Sequence, residues 1–167
     1  YYKKNNLTYD KYTGSLSEYN GILAKGGAAN IEIYCTIFKQ EAEVEGVRVE
    51  VAFTQAMLET GFLKFGGDVK PDQYNFAGMG ATGGISGEKF SDVREGIRAQ
   101  IQHLKCYASD AALNNACVDP RWGTWLRNKA LYVQWLSKAN NPYGIGWATD
   151  AEYSEKILSM IKSLKAN

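Results

Sequence analysis

The sequence predicts a mainly α-helical domain with one small β-hairpin. Two observations carry the prediction. Apolar residues recur at intervals of three and four over most of the chain. A glycine-rich stretch from Gly66 to Gly87, GGDVKPDQYNFAGMGATGGISG, has no helical period. A stretch of that length without regular structure, inside a compact domain, is usually a functional loop.

Taken in order, residues 1–20 are rich in Tyr, Lys, Asn and Ser and read as an extended lead-in. KGGAAN at 25–30 breaks the chain before the first helical pattern. We expect residues 1–27 to pack on the domain and residues 28–167 to form it. Ile31, Tyr34, Cys35 and Phe38 open a helix that runs to Ala42, with Gly46 as its stop. A second helix is expected from near Val47, with Val49, Ala52, Phe53, Ala56 and Met57 on its apolar face and Gly61 past its end. A hairpin fits Phe76–Phe90, turning among Gly83–Gly87.

Asp92 and Glu95 have capping-box spacing ahead of Val93, Ile97, Ile101 and Leu104. SDAALNNACVDPRW reads as a polar turn region with a short helical piece. Residues 123–139 are expected to be helical, with Val133 and Leu136 inward, until NNPYGIGW breaks the pattern. Thr149 and Glu152 suggest a second capping box, before a final helix with Tyr153, Ile157, Ile161 and Leu164 as its stripe.

Composition excludes several functions. The 167 residues suffice for one core, and the net charge of +1 provides no global field for nucleic acid or an anionic membrane. No apolar run is long enough to span a membrane. Three cysteines (Cys35, Cys106, Cys117) and one histidine (His103) lack zinc-site spacing, so we expect neither metal nor cofactor. The thiols read as buried or half-buried, with a Cys106–Cys117 bridge as the alternative. His103 and Cys106, three apart on one helix, read as structural. YYKKNN reads as the start of a mature or excised domain rather than a signal segment.

Glu59 is the residue that points to chemistry. It ends an apolar helix, where the carbonyl dipoles disfavour a carboxylate, and its neighbours Met57, Leu58 and Phe62 supply little polarity. Both effects favour the protonated form that a general acid needs. Gln55, four residues earlier, lies on the same side and is expected to face the same cleft. Among the aromatics, Phe53, Trp125 and Trp135 sit in helical patterns and read as core. Tyr74, Tyr143 and Trp147 lie in loops and are the better candidates to line a binding groove.

The segment AFTQAMLETG…YNFAGMGATGG resembles the core of glycoside hydrolase family 73, the endo-β-N-acetylglucosaminidases of bacterial autolysins. That family has an A-Q-x-x-L-E-S/T-G helix end followed by an N-N-L/F-F/A-G-I/M segment. Here Phe53 and Thr54 stand between Ala52 and Gln55, and Tyr74 replaces the first Asn. GWATDAEYSEKILSMI resembles the family's G-Y-A-T-D-P-x-Y-A-x-K-I ending, with Trp147 and Tyr153 at the aromatic positions.

The resemblance implies a lysozyme-like fold with two lobes, a helical one and a hairpin one, flanking a groove. It also implies cleavage of peptidoglycan glycan strands by a secreted bacterial cell-wall enzyme, without membrane insertion and as a monomer. Glu59 falls on the family's general acid and Tyr153 on the aromatic near it. Asn75 falls on the asparagine shaping the groove floor, with Phe76 beside it, and Trp147 on the sugar channel. A second carboxylate is expected from the hairpin region. Glu88 lies near the family's position for it; Asp92 has the competing role of helix cap, and Asp68 and Asp72 rank behind both. The alternatives are a muramidase or lytic transglycosylase on the same fold, or a non-catalytic peptidoglycan-binding module.

Overall fold

The computed structural model describes residues 2–5, 7–11 and 19–166. The expected lead-in therefore falls partly outside the described residues. Its described part is not extended: it makes turns and packs on the domain. Tyr2 is buried and its hydroxyl donates to the Phe62 carbonyl at 3.2 Å. Tyr9 Oη donates to the Ala28 carbonyl at 2.6 Å. The Asp10 carboxylate accepts from Leu23 N and Ala24 N at 2.9 Å each, capping a short helix, α1, at Ile22–Lys25.

Four longer helices form the body: α2 (Ile31–Glu45), α3 (Val49–Glu59), α4 (Val93–Ala108) and α5 (Tyr153–Lys165). The fold is mainly helical with one two-stranded antiparallel sheet, as the periodicities predict. Asn30 caps α2 and Asp92 caps α4, each through a side chain accepting from the amide three residues on. The Glu95 carboxylate reaches back to Ser91 N at 2.6 Å. α3 starts at Val49, two residues later than the pattern suggests. At α5 the expected Thr149–Glu152 box does not form. Asp150 does that work instead, its Oδ1 accepting from Glu152 N at 2.9 Å and its carbonyl from Tyr153 N at 3.2 Å.

The core is centred on Tyr34, Phe38, Met57, Phe76, Ile97, Ile101 and Ile157, all essentially without exposed surface. Burying each large apolar side chain contributes roughly 1.5–3 kcal/mol. α2 and α4 are also joined by buried charge. Glu41 accepts from Arg94 and Arg98 at 2.6 and 2.8 Å, and Glu45 from Lys105 at 2.8 Å. Burial pushes the Glu45 carboxyl up, but the bonds from Lys105 and from the Asn114 and Asn115 amides outweigh it and hold it below the usual carboxylate range.

The hairpin is smaller than Phe76–Phe90. Ala81–Thr82 (β1) pairs with Ile85–Ser86 (β2), and Gly83 and Gly84 form the two-residue turn with φ of 54° and 88°.

Residues 109–152 contain no α-helix. The expected helix over 123–139 is instead three 3₁₀ turns at Thr124–Leu126, Val133–Leu136 and Lys138–Asn140. Asn128 adopts φ 57° and Ser137 is extended, each interrupting the helical path. The freed amides bond elsewhere: Ala130 N to the Tyr107 carbonyl, Lys138 N to that of Ala148, and Trp147 N to that of Leu136, all at 2.8 Å. The short helical piece expected in 109–122 is likewise absent. That segment is irregular and is pinned by Gln102, which donates to the Ala116 carbonyl and accepts from Val118 N. No helix among the described residues is long and apolar enough to cross a membrane.

Candidate active site

Glu59 is the last residue of α3, and the chain after it turns sharply. Gly61, Phe62, Leu63 and Phe65 all have positive φ, between 51° and 64°. Such conformations cost a non-glycine residue on the order of 1–2 kcal/mol each. Burial of Leu63 and Phe65 and the bonds of Thr60 hold them. Thr60 Oγ1 donates to the Ala56 carbonyl at 2.6 Å and accepts from Leu63 N at 2.9 Å. The E-T-G sequence thus aims the acid outward from a fixed corner.

Glu59 is accessible yet enclosed. Its side chain opens into a cavity of about 190 Å³ lined by Thr60, Phe65, Asp68, Val69, Asn75, Gly78 and Ala81. The protein packed around it displaces much of the bulk water, which raises the carboxyl pKa above the ordinary glutamate value. A hydrogen bond from Tyr153 pulls the other way without cancelling the rise. Tyr153 Oη donates to Glu59 Oε1 at 2.5 Å.

That hydroxyl is itself held. Gln55 Nε2 donates to Tyr153 Oη at 3.0 Å, and Gln100 Nε2 donates to Gln55 Oε1 and to the Ala52 carbonyl, both at 2.9 Å. The chain joins α3, α4 and α5 behind the acid. Burial, with the Glu59 charge second, keeps the Tyr153 phenol well above its ordinary pKa, so it remains a donor.

The segment after Tyr74 forms the floor. Asn75 is buried; its Nδ2 donates to the Met79 carbonyl at 2.8 Å and its Oδ1 accepts from Met79 N at 3.0 Å, closing a tight loop. Gly78, at φ 64°, lies against the acid: a Cβ there would sit 3.2 Å from Glu59 Oε2. Gly78 and Ala81 also line a second cavity of about 650 Å³, so both spaces border the same segment; we refer to the pair as the trench. The second cavity lies between the hairpin and the 120–126 segment, and Trp147 lines it.

Several expected residues lie elsewhere. Gln55 and Phe76 have no exposed surface and cannot touch a sugar: Gln55 serves the Tyr153 hydroxyl, and Phe76 packs on Tyr34 and Phe65. Tyr74 lines neither trench cavity. Its ring lies against Gly26 and its hydroxyl donates to the Ile22 carbonyl at 3.3 Å. Tyr143 is exposed but stands with Trp135, under the Lys129 ammonium, outside both cavities. Glu88 packs against Gly80, its Oε1 3.1 Å from where a Cβ would stand, and lines neither cavity. Asp68 is the second carboxylate in the Glu59 cavity. Its Oδ2 accepts from Gly84 N at 3.1 Å, tying the hairpin to the acid's side of the trench.

Sequence reasoning missed the other wall. Trp125, read as core, is exposed and lines the larger cavity with Trp122, Arg121, His103 and Tyr107. The three cysteines are free thiols; Cys106 Sγ donates to the Gly123 carbonyl rather than bridging to Cys117. A further cavity of about 630 Å³ lies against Val44, Leu104 and Leu131, but its buried acid, Glu45, is committed to Lys105.

Comparison with known proteins identifies a family. A family model described as "Glucosaminidase: Mannosyl-glycoprotein endo-beta-N-acetylglucosaminidase" matches residues 35–166. An uncharacterized protein of Borreliella burgdorferi is 39% identical over 125 residues, covering 74% of this chain; the chain spans only 58% of that relative's length. No solved structure matches. With most of its length matched, the chain belongs to the glucosaminidase family of glycoside hydrolases.

Proposed function

We propose that this domain hydrolyses peptidoglycan glycan strands at the β-1,4 bond on the reducing side of N-acetylglucosamine. The observation that carries the reading is Glu59, a carboxyl that faces a cavity at the end of α3, accepts from Tyr153 and has its pKa raised. A protonated carboxyl in that place gives its proton to the glycosidic oxygen as the bond breaks. Tyr153 orients the acid and stabilises the carboxylate left after transfer.

Asp68 shares the cavity and is the better placed partner for the incoming water or the developing positive charge at the sugar. Glu88, packed against Gly80 with its amide on the Met79 carbonyl, supports the hairpin in this reading. The two neighbouring cavities, bordered by the Gly78–Ala81 segment, suit an endo-acting enzyme on a polymer. The substrate places the domain at the bacterial cell wall, as a secreted autolysin-type enzyme acting as a monomer.

The experiment is digestion of purified peptidoglycan, borohydride reduction and mass spectrometry. Reduced N-acetylglucosamine at the new ends is the expected product. Reduced N-acetylmuramic acid would make the domain a muramidase, and 1,6-anhydro-muramic ends a lytic transglycosylase. No new ends would leave a binding module.

A further inference from the structure

The larger cavity holds chemistry that proton transfer at Glu59 does not use. His103 is buried on α4, its Nδ1 2.8 Å from Asp119 Oδ2, and Asp119 is itself buried. The carboxylate accepts the Nδ1 proton, which in the neutral ring makes Nε2 an acceptor. The ring is wedged edge-on between Tyr107 and Trp147, at centroid distances of 5.3 and 4.8 Å, and lines the cavity.

Arg121 lines the same cavity. Its backbone amide donates to Asp119 Oδ1 at 2.9 Å, fixing the residue beside the His103 pair. Its side chain is exposed and has no ion pair among the described residues. Its charge reaches the cavity floor: burial pushes the Tyr107 hydroxyl up to about 12, and Arg121 is the neighbour pulling it back. Trp122, with the Arg127 guanidinium 5.4 Å from its ring centroid, and Trp125 complete the wall. An uncompensated guanidinium is a fork for a carboxylate or carbonyl, the imidazole beside it accepts an N–H, and indole faces take a sugar ring.

Resting on the peptidoglycan reading above, we infer that this wide end of the trench is a subsite for the acidic arm of a muramoyl residue. Arg121 takes the carboxylate, His103 Nε2 accepts from an amide N–H of the arm, and Trp122, Trp125 and Trp147 frame the ring. A glycan lacking that arm leaves Arg121 unpaired in the cavity wall. The domain therefore discriminates muramoyl glycan from uniform N-acetylglucosamine polymers by charge as well as by shape.

Binding to the Glu59→Gln protein separates this inference from the catalytic one, because it requires no turnover. Isothermal titration uses N-acetylmuramoyl-L-alanyl-D-isoglutamine, N-acetylmuramic acid and chitotriose as probes. The muramoyl dipeptide is expected to bind more tightly than chitotriose. Adding Arg121→Gln, at an exposed position, is expected to weaken the dipeptide about tenfold, the scale of one charge-assisted contact, and to change chitotriose little. Full Arg121 dependence with N-acetylmuramic acid alone places the contact on the lactyl carboxylate, and dependence only with the dipeptide places it on the stem. Either supports the subsite. Equal affinity for dipeptide and chitotriose, or an Arg121→Gln protein binding the dipeptide as before, overturns it. Absence of wall hydrolysis by the native enzyme would instead count against the reading of Glu59.

Discussion

Tyr153 donates to Glu59 across 94 residues of sequence, 2.5 Å between oxygens, and the donor comes from the first turn of the last helix. The bond works against the enclosure that raises the Glu59 pKa. Removing it changes both the acid's proton affinity and its aim.

Tyr153→Phe is expected to move the alkaline limb of the kcat/KM profile to higher pH, since the group stabilising the carboxylate is gone. The maximal rate should fall as well, by less than the roughly 10²–10⁴-fold that loss of a general acid costs. A pH–rate series on solubilised glycan strands checks both effects. A limb moving to lower pH would contradict the assigned direction of the hydrogen bond.

Gly78 leaves room for the acid. Gly78→Ala adds a methyl 3.2 Å from Glu59 Oε2 at a backbone φ of 64°. The expected outcome is about 1–2 kcal/mol lost from stability, from the left-handed backbone. Activity should fall further than that loss explains. Urea titration beside initial rates separates the two.

The Glu45–Lys105 pair is a stability element and lies away from the trench. Lys105→Met leaves Glu45 buried with only the Asn114 and Asn115 amides, and should cost about 3–5 kcal/mol. Glu45's folded pKa is depressed, so its contribution is present above the ordinary glutamate value and fades as pH falls through the lowered one. In the variant the Lys105 bond that lowers the carboxyl is gone, so it protonates at higher pH than in the native protein, and acidification from neutral pH should narrow the deficit. Thermal melts at two pH values test this.

The helices were legible in the sequence because their signals are local. Gly46 and the Asp92–Glu95 pair each act within four residues. Glu59 stood out for the same reason: a helix end and a glycine are visible without any fold. Residues 109–152 were not legible. Their amides bond across the chain, as Ala130 does to Tyr107 and Lys138 to Ala148, and no period records that.

The site was half legible. Gln55 was placed on the correct side of α3, but spacing alone does not say whether that side meets solvent or another helix; it meets Tyr153. Asp68 ranked behind Glu88 because the resemblance points to the Glu88 region for the second acid, and nothing in the sequence shows that Asp68 shares the Glu59 cavity. The His103–Asp119 pair, sixteen residues apart across an irregular turn, makes no pattern.

The most direct test of the central claim is the release of reducing ends from purified peptidoglycan by Glu59→Gln beside the native protein. Glutamine keeps the shape but has no proton to give, so the rate should fall at least about 10²-fold. Circular dichroism should be unchanged. At neutral pH the melting temperature should be no lower than the native one, because a carboxyl with a raised folded pKa contributes its stability below the ordinary glutamate value and loses it as pH rises. A folded Glu59→Gln protein that releases reducing ends at the native rate would contradict the assignment of Glu59 as the acid.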